Sequence, residues 1–262
     1  MAKVEGKKRI VVKVGTSTLT HQTGKTNIAR LAKLVSVLSD LKNAGNEIVL
    51  VSSGAVGIGA AKLGLSAKPK TTRGLQASAA VGQCELMFLY DKMFSEYGVI
   101  VSQLLFTADT LSNELEKGHL LDTFNQLLDY GALPIVNEND SVYVEELLNG
   151  DNDCLSATVA SLIDADLLIM LTDTDGLYDD NPSKNENANL ISYVEEITPK
   201  LFEIAGDAGE KGTGGFTTKI KAAKIATDSG IPVIIMNGEK PTSIYKVLEG
   251  QSIGTYFSAK GE

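Results

Sequence analysis

Cysteine and histidine are scarce in this chain, and tryptophan is absent. Two cysteines, Cys84 and Cys154, are too few and too separated for a disulfide framework or a zinc cluster, and they suit a reducing cytoplasm. Both histidines, His21 and His119, fall in polar stretches where an exposed position is expected, so no Ser-His pairing and no metal-ligand spacing can be drawn. Long apolar runs are also missing: none approaches the roughly 18 residues needed to cross a bilayer, and the N-terminus has no cleavage-type segment. Positive charge is in deficit, with 24 Lys and Arg against 33 Asp and Glu, a net charge of -9. That balance disfavours a nucleic-acid partner, although local lysines and backbone NH groups can still hold a small anion. A cytoplasmic protein with neither a nucleic-acid nor a membrane partner is expected.

What the chain does have is enough apolar material for a core. Of its 262 residues 43% are hydrophobic and 22% charged, which fits one α/β domain. Its centre is the stretch 133–157, LPIVNENDSVYVEELLNGDNDCLSA. An apolar run breaks into Asn137, Glu138, Asn139 and Asp140; a second cluster, Gly150 to Asp153, precedes a helix-like run at 155–163. One such cluster is ordinary as a solvated loop whose aspartate caps a helix. Two of them, both at the ends of expected elements, point to a site.

Around that centre the sequence reads as alternating strands and helices. Residues 9–14 are apolar or β-branched at nearly every position, as in a strand covered on both faces, and they end in Lys13, Val14, Gly15, Thr16, Ser17 and Thr18. A lysine there is costly unless it reaches a partner or snorkels at the strand end, and glycine with hydroxyl residues suits a phosphate-binding turn. A helix is expected at 27–44, capped by Asn27 and stopped by Gly45, and a strand at 47–51 that ends in Ser52, Ser53 and Gly54. Further expectations are a basic connection at 68–73, a long helix at 74–97 with Gly82 allowing close packing, a strand at 99–106 and one amphipathic helix at 111–130. Strands follow at 166–171, 231–236 and 253–257; the first runs into Thr172, Asp173 and Gly176. Residues 178–189 read as an exposed excursion. The glycine-rich run 207–218 leads into Lys219 and a helix, and suits a lid over phosphates better than a plain linker. In an open parallel sheet the strand ends would bring Gly15, Ser53, Asp140 and Asp173 to one edge.

Two motifs are imitated but not present. Gly57-Ile58-Gly59 begins a dinucleotide fingerprint whose third glycine position is Lys62; Gly24-Lys25-Thr26 copies a P-loop tail whose earlier glycine position is Leu19. The residues that remain are two lysines, several aspartates and two glycine-rich turns. They suit phosphoryl transfer, in which catalysis is mostly positioning and charge neutralisation. No general base stands out. An alcohol acceptor needs its proton removed, whereas a carboxylate with a pKa near ~4 is already ionised at pH 7, so an acid is the better acceptor.

The order VVKVGTS, LVSSGAV, PIVNENDSV, NGDNDCLSA, LLTDTDGLY and GTGGFTTK closely resembles the glutamate 5-kinases of the amino acid kinase family, over essentially the whole chain. The resemblance implies an open, largely parallel αβα sandwich; one domain, 1–262, is expected, a departure from the many bacterial members that add a C-terminal RNA-binding-like domain. It implies ATP-dependent phosphorylation of the L-glutamate side-chain carboxylate with Mg2+, the first step of proline synthesis. Lys13 and Lys219 would flank the transferring phosphoryl group, with Asp153 orienting both. Ser53 and Gly54 would form the floor with Gly15; Asp140, Asp151 and Asn152 would hold glutamate, the aspartates at its ammonium. Lys13, Gly15, Thr172 and Asp173 would meet the nucleotide, and Thr213, Gly214, Gly215, Phe216, Thr217, Thr218 and Lys219 would close on its phosphates. Proline feedback and hand-over of the labile acyl phosphate to a glutamyl phosphate reductase are implied as well. A homo-oligomer is expected, the stretch 74–97 being apolar enough to bury a dimer face as readily as a core. Cys154 stands where relatives commonly carry polar residues, either packing the helix start or offering a modifiable thiol. The rival readings are the related N-acetylglutamate, aspartate, carbamate and uridylate kinases, disfavoured by the negative charge of the two clusters, and a non-catalytic nucleotide sensor, disfavoured by the presence of Lys13, Lys219 and Asp153.

Overall fold

A computed structural model describes residues 6–21, 24–142, 152–182, 184–207 and 215–261. Its strands are β1 (Arg9–Val14), β2 (Glu47–Ser52), β3 (Val101–Phe106), β4 (Leu133–Glu138), β5 (Leu167–Thr172), β6 (Tyr193–Val194), β7 (Val233–Asn237) and β8 (Thr255–Phe257). They form one sheet in the order β3-β4-β2-β1-β5-β7-β8-β6. Every pairing from β3 across to β7 is parallel; β8 joins β7 antiparallel, and β6 pairs parallel with β8. The helices are α1 (Thr16–Leu19), α2 (Ile28–Asn43), α3 (Ala55–Lys62), α4 (Thr72–Ser95), α5 (Ala108–Ser112), α6 (Glu114–Asp129), α7 (Asp153–Leu162), α8 (Pro199–Asp207), α9 (Phe216–Asp228) and α10 (Ser243–Leu248). The fold is the α/β sandwich expected, an open and mainly parallel sheet between two helical layers.

Strand periodicity divides the core in two. Ile10, Val12 and Val14 of β1 join a cluster with residues of α2, α4 and α10, while Val11 joins another with residues of α6, α7, α8 and α9. Alternate residues of a strand face opposite sides, so Lys13 shares the face of Val11 and points toward the layer that holds α7 and α9. In register it lies between Val51 of β2 and Met170 of β5. Each fully buried aliphatic side chain along these strands contributes about 1.5–3 kcal/mol, which pins the register that aims the lysine.

Several boundaries differ from the expected ones. The helix expected at 111–130 is two, α5 and α6, because the Asn113 side chain accepts from the backbone NH groups of Leu115 and Glu116 and starts a new helix. The helix expected at 74–97 begins at Thr72 and ends at Ser95, since Thr71 accepts from the Gly74 NH and so caps an earlier start. Asp153 opens α7 two residues before the expected 155, and the strands expected to begin at 99, 231 and 253 begin at 101, 233 and 255. The stretch that imitates a dinucleotide fingerprint lies within α3. Its Gly59 packs on Gly82 of α4: a Cβ on Gly59 would overlap the Ser78 carbonyl, and one on Gly82 the Ala55 carbonyl. These glycines serve a backbone-to-backbone helix crossing. Helix α4 turns Leu75, Ala79, Leu86, Tyr90 and Phe94 inward and leaves Phe88 exposed, so most of its apolar side is core.

Candidate active site

The parallel strands β1, β2, β4, β5 and β7 all end on one edge, and the polar turns that follow them collect there. Gly15 caps α1 after β1, and Gly54 caps α3 after β2 with φ +106, a left-handed conformation that glycine adopts without strain. Between them the Ser53 NH donates to the Val14 carbonyl at 3.0 Å, tying the two turns together. A side chain on Gly15 would begin 3.9 Å from Lys13 Nζ, so the glycine leaves room beside that ammonium.

Asp153 is the hub. It opens α7, is 0% exposed, and carries two lysines: Lys13 Nζ donates to Oδ1 at 2.5 Å, and Lys219 Nζ to Oδ2 at 3.1 Å. Thr218 Oγ1 also donates to Oδ2, at 3.1 Å. Lys13 comes from the strand and Lys219 from the first turn of α9, so three separate elements meet at one carboxylate. One anion shared by two cations gives the triad a net charge of +1, held where burial strengthens its pull on an incoming anion. Gly215 caps α9, and its carbonyl accepts from the Thr218 NH at 3.0 Å and lies 2.8 Å from Thr218 Oγ1, whose one proton it shares with Asp153. Phe216 and Thr217 occupy the same first turn, where backbone NH groups favour phosphate. Thr213 and Gly214 lie outside the described residues, as does Asp151.

Across the edge, Thr172 is buried and donates to Asp173 Oδ1 at 3.1 Å, while Asp173 itself is exposed. Asp140 lies two residues beyond β4. Burial, then the Glu138 carboxylate, pushes its carboxyl up from 3.8 to about 6, with Lys68 pulling the other way. Asn152 is buried, and its Nδ2 is already committed: it donates to the Ser52 carbonyl at 3.1 Å and to Asn137 Oδ1 at 2.7 Å. A role for Asn152 in holding a substrate therefore falls to its carbonyl oxygen. His21 and His119 are exposed, as expected, and Cys154, in the first turn of α7, is half-buried against the core.

Two groups at this edge went unnoticed in the sequence. Tyr90 of α4 is fully buried with its hydroxyl 2.9 Å from Ser52 Oγ, and burial holds its phenol well above the usual range. Gln83 of the same helix accepts from Asn137 Nδ2 at 2.9 Å through Oε1. The signal was there: Gln83 is a polar residue on the buried stripe of Leu75, Ala79, Leu86 and Tyr90. Beside it a cavity of about 420 Å3 opens between α4, β3 and the end of β4, with Glu138 and Asp140 in its wall.

Comparison with known proteins agrees with this architecture. A model of the amino acid kinase family matches residues 8–237. The glutamate 5-kinase of Clostridium perfringens (strain 13 / Type A) is 53% identical over 258 residues, 97% of this chain and 96% of that one. The glutamate 5-kinase of Clostridium acetobutylicum is 52% identical over 255 residues, again 97% and 96%. Among solved structures, the UMP kinase of Bacillus anthracis superposes with a TM-score of 0.65 over 98% of each chain at 16% identity, a likeness of fold alone. A family match that runs from β1 through β7, joined to relatives identical at about half their positions over nearly their whole length, leaves one conclusion: the chain belongs to the amino acid kinase family.

Proposed function

We propose that the chain transfers the γ-phosphoryl group of ATP to the side-chain carboxylate of L-glutamate, forming L-glutamyl 5-phosphate, the first step of proline biosynthesis. The observation that carries this reading is Asp153, buried and shared between Lys13 and Lys219 at the carboxyl edge of the sheet. The names of the relatives give the substrate. In this reading the two ammonium groups neutralise charge on the phosphoryl group as it moves, and Asp153 holds both at fixed separation so that little reorganisation is needed. The NH groups after Gly15 and at the start of α9 take phosphate oxygens, with Thr172 and Asp173 at the nucleotide. Mg2+ would enter on the nucleotide phosphates, a mode that asks at most one or two carboxylates of the protein. No base is needed because the acceptor carboxylate is ionised at neutral pH. Asp140 faces the glutamate ammonium, and the negative charge it shares with Glu138 favours a free amine over the acylated amine of N-acetylglutamate.

The same reading makes 1–262 a single catalytic domain at work in the cytoplasm as a homo-oligomer. Among the described residues no helix is long and apolar enough to cross a membrane. Proline feedback at the glutamate site and hand-over of the acyl phosphate to a reductase belong to it as well; equal flux with and without association of the two enzymes would rule out the hand-over. The test of function is ADP release from ATP and Mg2+ with L-glutamate, N-acetyl-L-glutamate or L-aspartate, with Lys219→Ala in parallel. Turnover on glutamate alone, lost in the variant, is expected. Turnover on another acid would overturn the substrate assignment, and ATP binding without turnover would point to a nucleotide sensor.

A further inference from the structure

Three side-chain amides run in series from the strand ends to the cavity beside α4, and their orientation follows from the backbone groups they meet. The Ser52 carbonyl can only accept, so Asn152 presents Nδ2 to it. The Glu138 NH can only donate, so Asn137 presents Oδ1, which accepts from that NH at 3.0 Å and from Asn152 Nδ2. Asn137 must then offer Nδ2 to Gln83, and Gln83 must answer with Oε1. The last amide in the series is left with Nε2. Gln83 is 9% exposed, lines the cavity, and its Nε2 has no hydrogen-bond partner among the described residues. A buried donor left unsatisfied costs about 1–3 kcal/mol, a cost that a ligand oxygen would remove.

The cavity states what kind of ligand brings that oxygen. Its volume, about 420 Å3, is in the range of small-molecule sites. Two acids, Glu138 and Asp140, line it together with the apolar Met87 and Leu105. A phosphate or a simple anion is repelled by the two acids, and a simple amine leaves the amide donor unmet. An α-amino acid satisfies both, because its ammonium and α-carboxylate sit on one carbon.

We propose that Gln83 is a substrate-binding residue that sets specificity, donating from Nε2 to the α-carboxylate of an amino acid whose ammonium lies against Glu138 and Asp140. The proposal rests on the reading of the chain as an amino-acid kinase. Its test uses the full chain in steady-state ADP release, comparing the parent with Gln83→Glu and Gln83→Met. Gln83→Glu keeps an acceptor for Asn137 and removes the donor; Gln83→Met removes both, so loss of folding in the second leaves the first to decide. The expected result is a KM for L-glutamate at least tenfold higher with a KM for ATP within twofold. The inhibition constant of 4-aminobutanoate, which lacks the α-carboxylate, should not rise in Gln83→Glu. An unchanged KM for glutamate, or an equal rise for 4-aminobutanoate, overturns the proposal while leaving the kinase intact. A parent that does not turn over glutamate overturns the functional reading and the proposal with it.

Discussion

Replacing Asp140 with asparagine is expected to stabilise the ligand-free protein while weakening its hold on glutamate. The carboxyl is pushed from 3.8 to about 6, first by burial and then by Glu138. A raised carboxyl pKa means that the fold prefers the neutral form. Below about pH 3 the group is protonated folded and unfolded alike and costs almost nothing. The cost grows as pH rises through the window from 3.8 to about 6 and is complete above it. At 1.36 kcal/mol per pH unit the full cost is about 3 kcal/mol, and about half of that is present at pH 5. Asp140→Asn removes the charge but must still desolvate an amide, so a gain of about 1–3 kcal/mol at pH 8 is expected, shrinking toward pH 5. Urea unfolding of parent and variant at the two pH values, without ligand, measures it. Saturating L-glutamate should then narrow or reverse the order, because ligand stabilises the parent in proportion to its affinity. In the parent, the KM for glutamate should climb as pH falls below about 6, where Asp140 gains its proton and loses its attraction for an ammonium. A variant no more stable than the parent at pH 8, or a difference that does not change with pH, would refute the reasoning.

Asp153→Asn leaves Lys13 and Lys219 without their shared charge, and kcat should fall by about 100-fold or more with a loss of roughly 3–5 kcal/mol in stability, read by single-turnover kinetics and urea unfolding. Gly59→Ala and Gly82→Ala each force apart the same backbone crossing of α3 and α4; each should cost about 1–3 kcal/mol or more, and the double variant less than their sum, by thermal melting. Asn113→Ala removes the cap that divides α5 from α6 and should lower stability by about 1 kcal/mol, measured the same way, without changing kinetic constants.

Periodicity and composition are local properties, and they carried most of the fold. The buried strands at β1, β2, β4, β5 and β7 announced themselves as apolar runs, and Asn27 marked the start of α2 by the cap it makes with the Arg30 NH. The break at Asn113 was missed because asparagine in an amphipathic stretch is as acceptable to a helix surface as to a cap, and only the hydrogen bonds to Leu115 and Glu116 distinguish the two. Lys13 was conspicuous because a charge inside a buried strand needs a partner, and the NEND and GDND clusters because burying them needs a reason. From sequence alone, then, come a parallel α/β sheet and the expectation of a phosphate-handling edge with an acceptor that needs no base. Tertiary structure decided the rest. That Lys13, Asp153 and Lys219 meet depends on which face of β1 the lysine takes and on α7 and α9 covering that face, a matter of packing between segments 140 and 66 residues from Asp153. The donor that Gln83 presents depends on a carbonyl in β2 and an NH in β4, groups every residue carries and no sequence pattern marks.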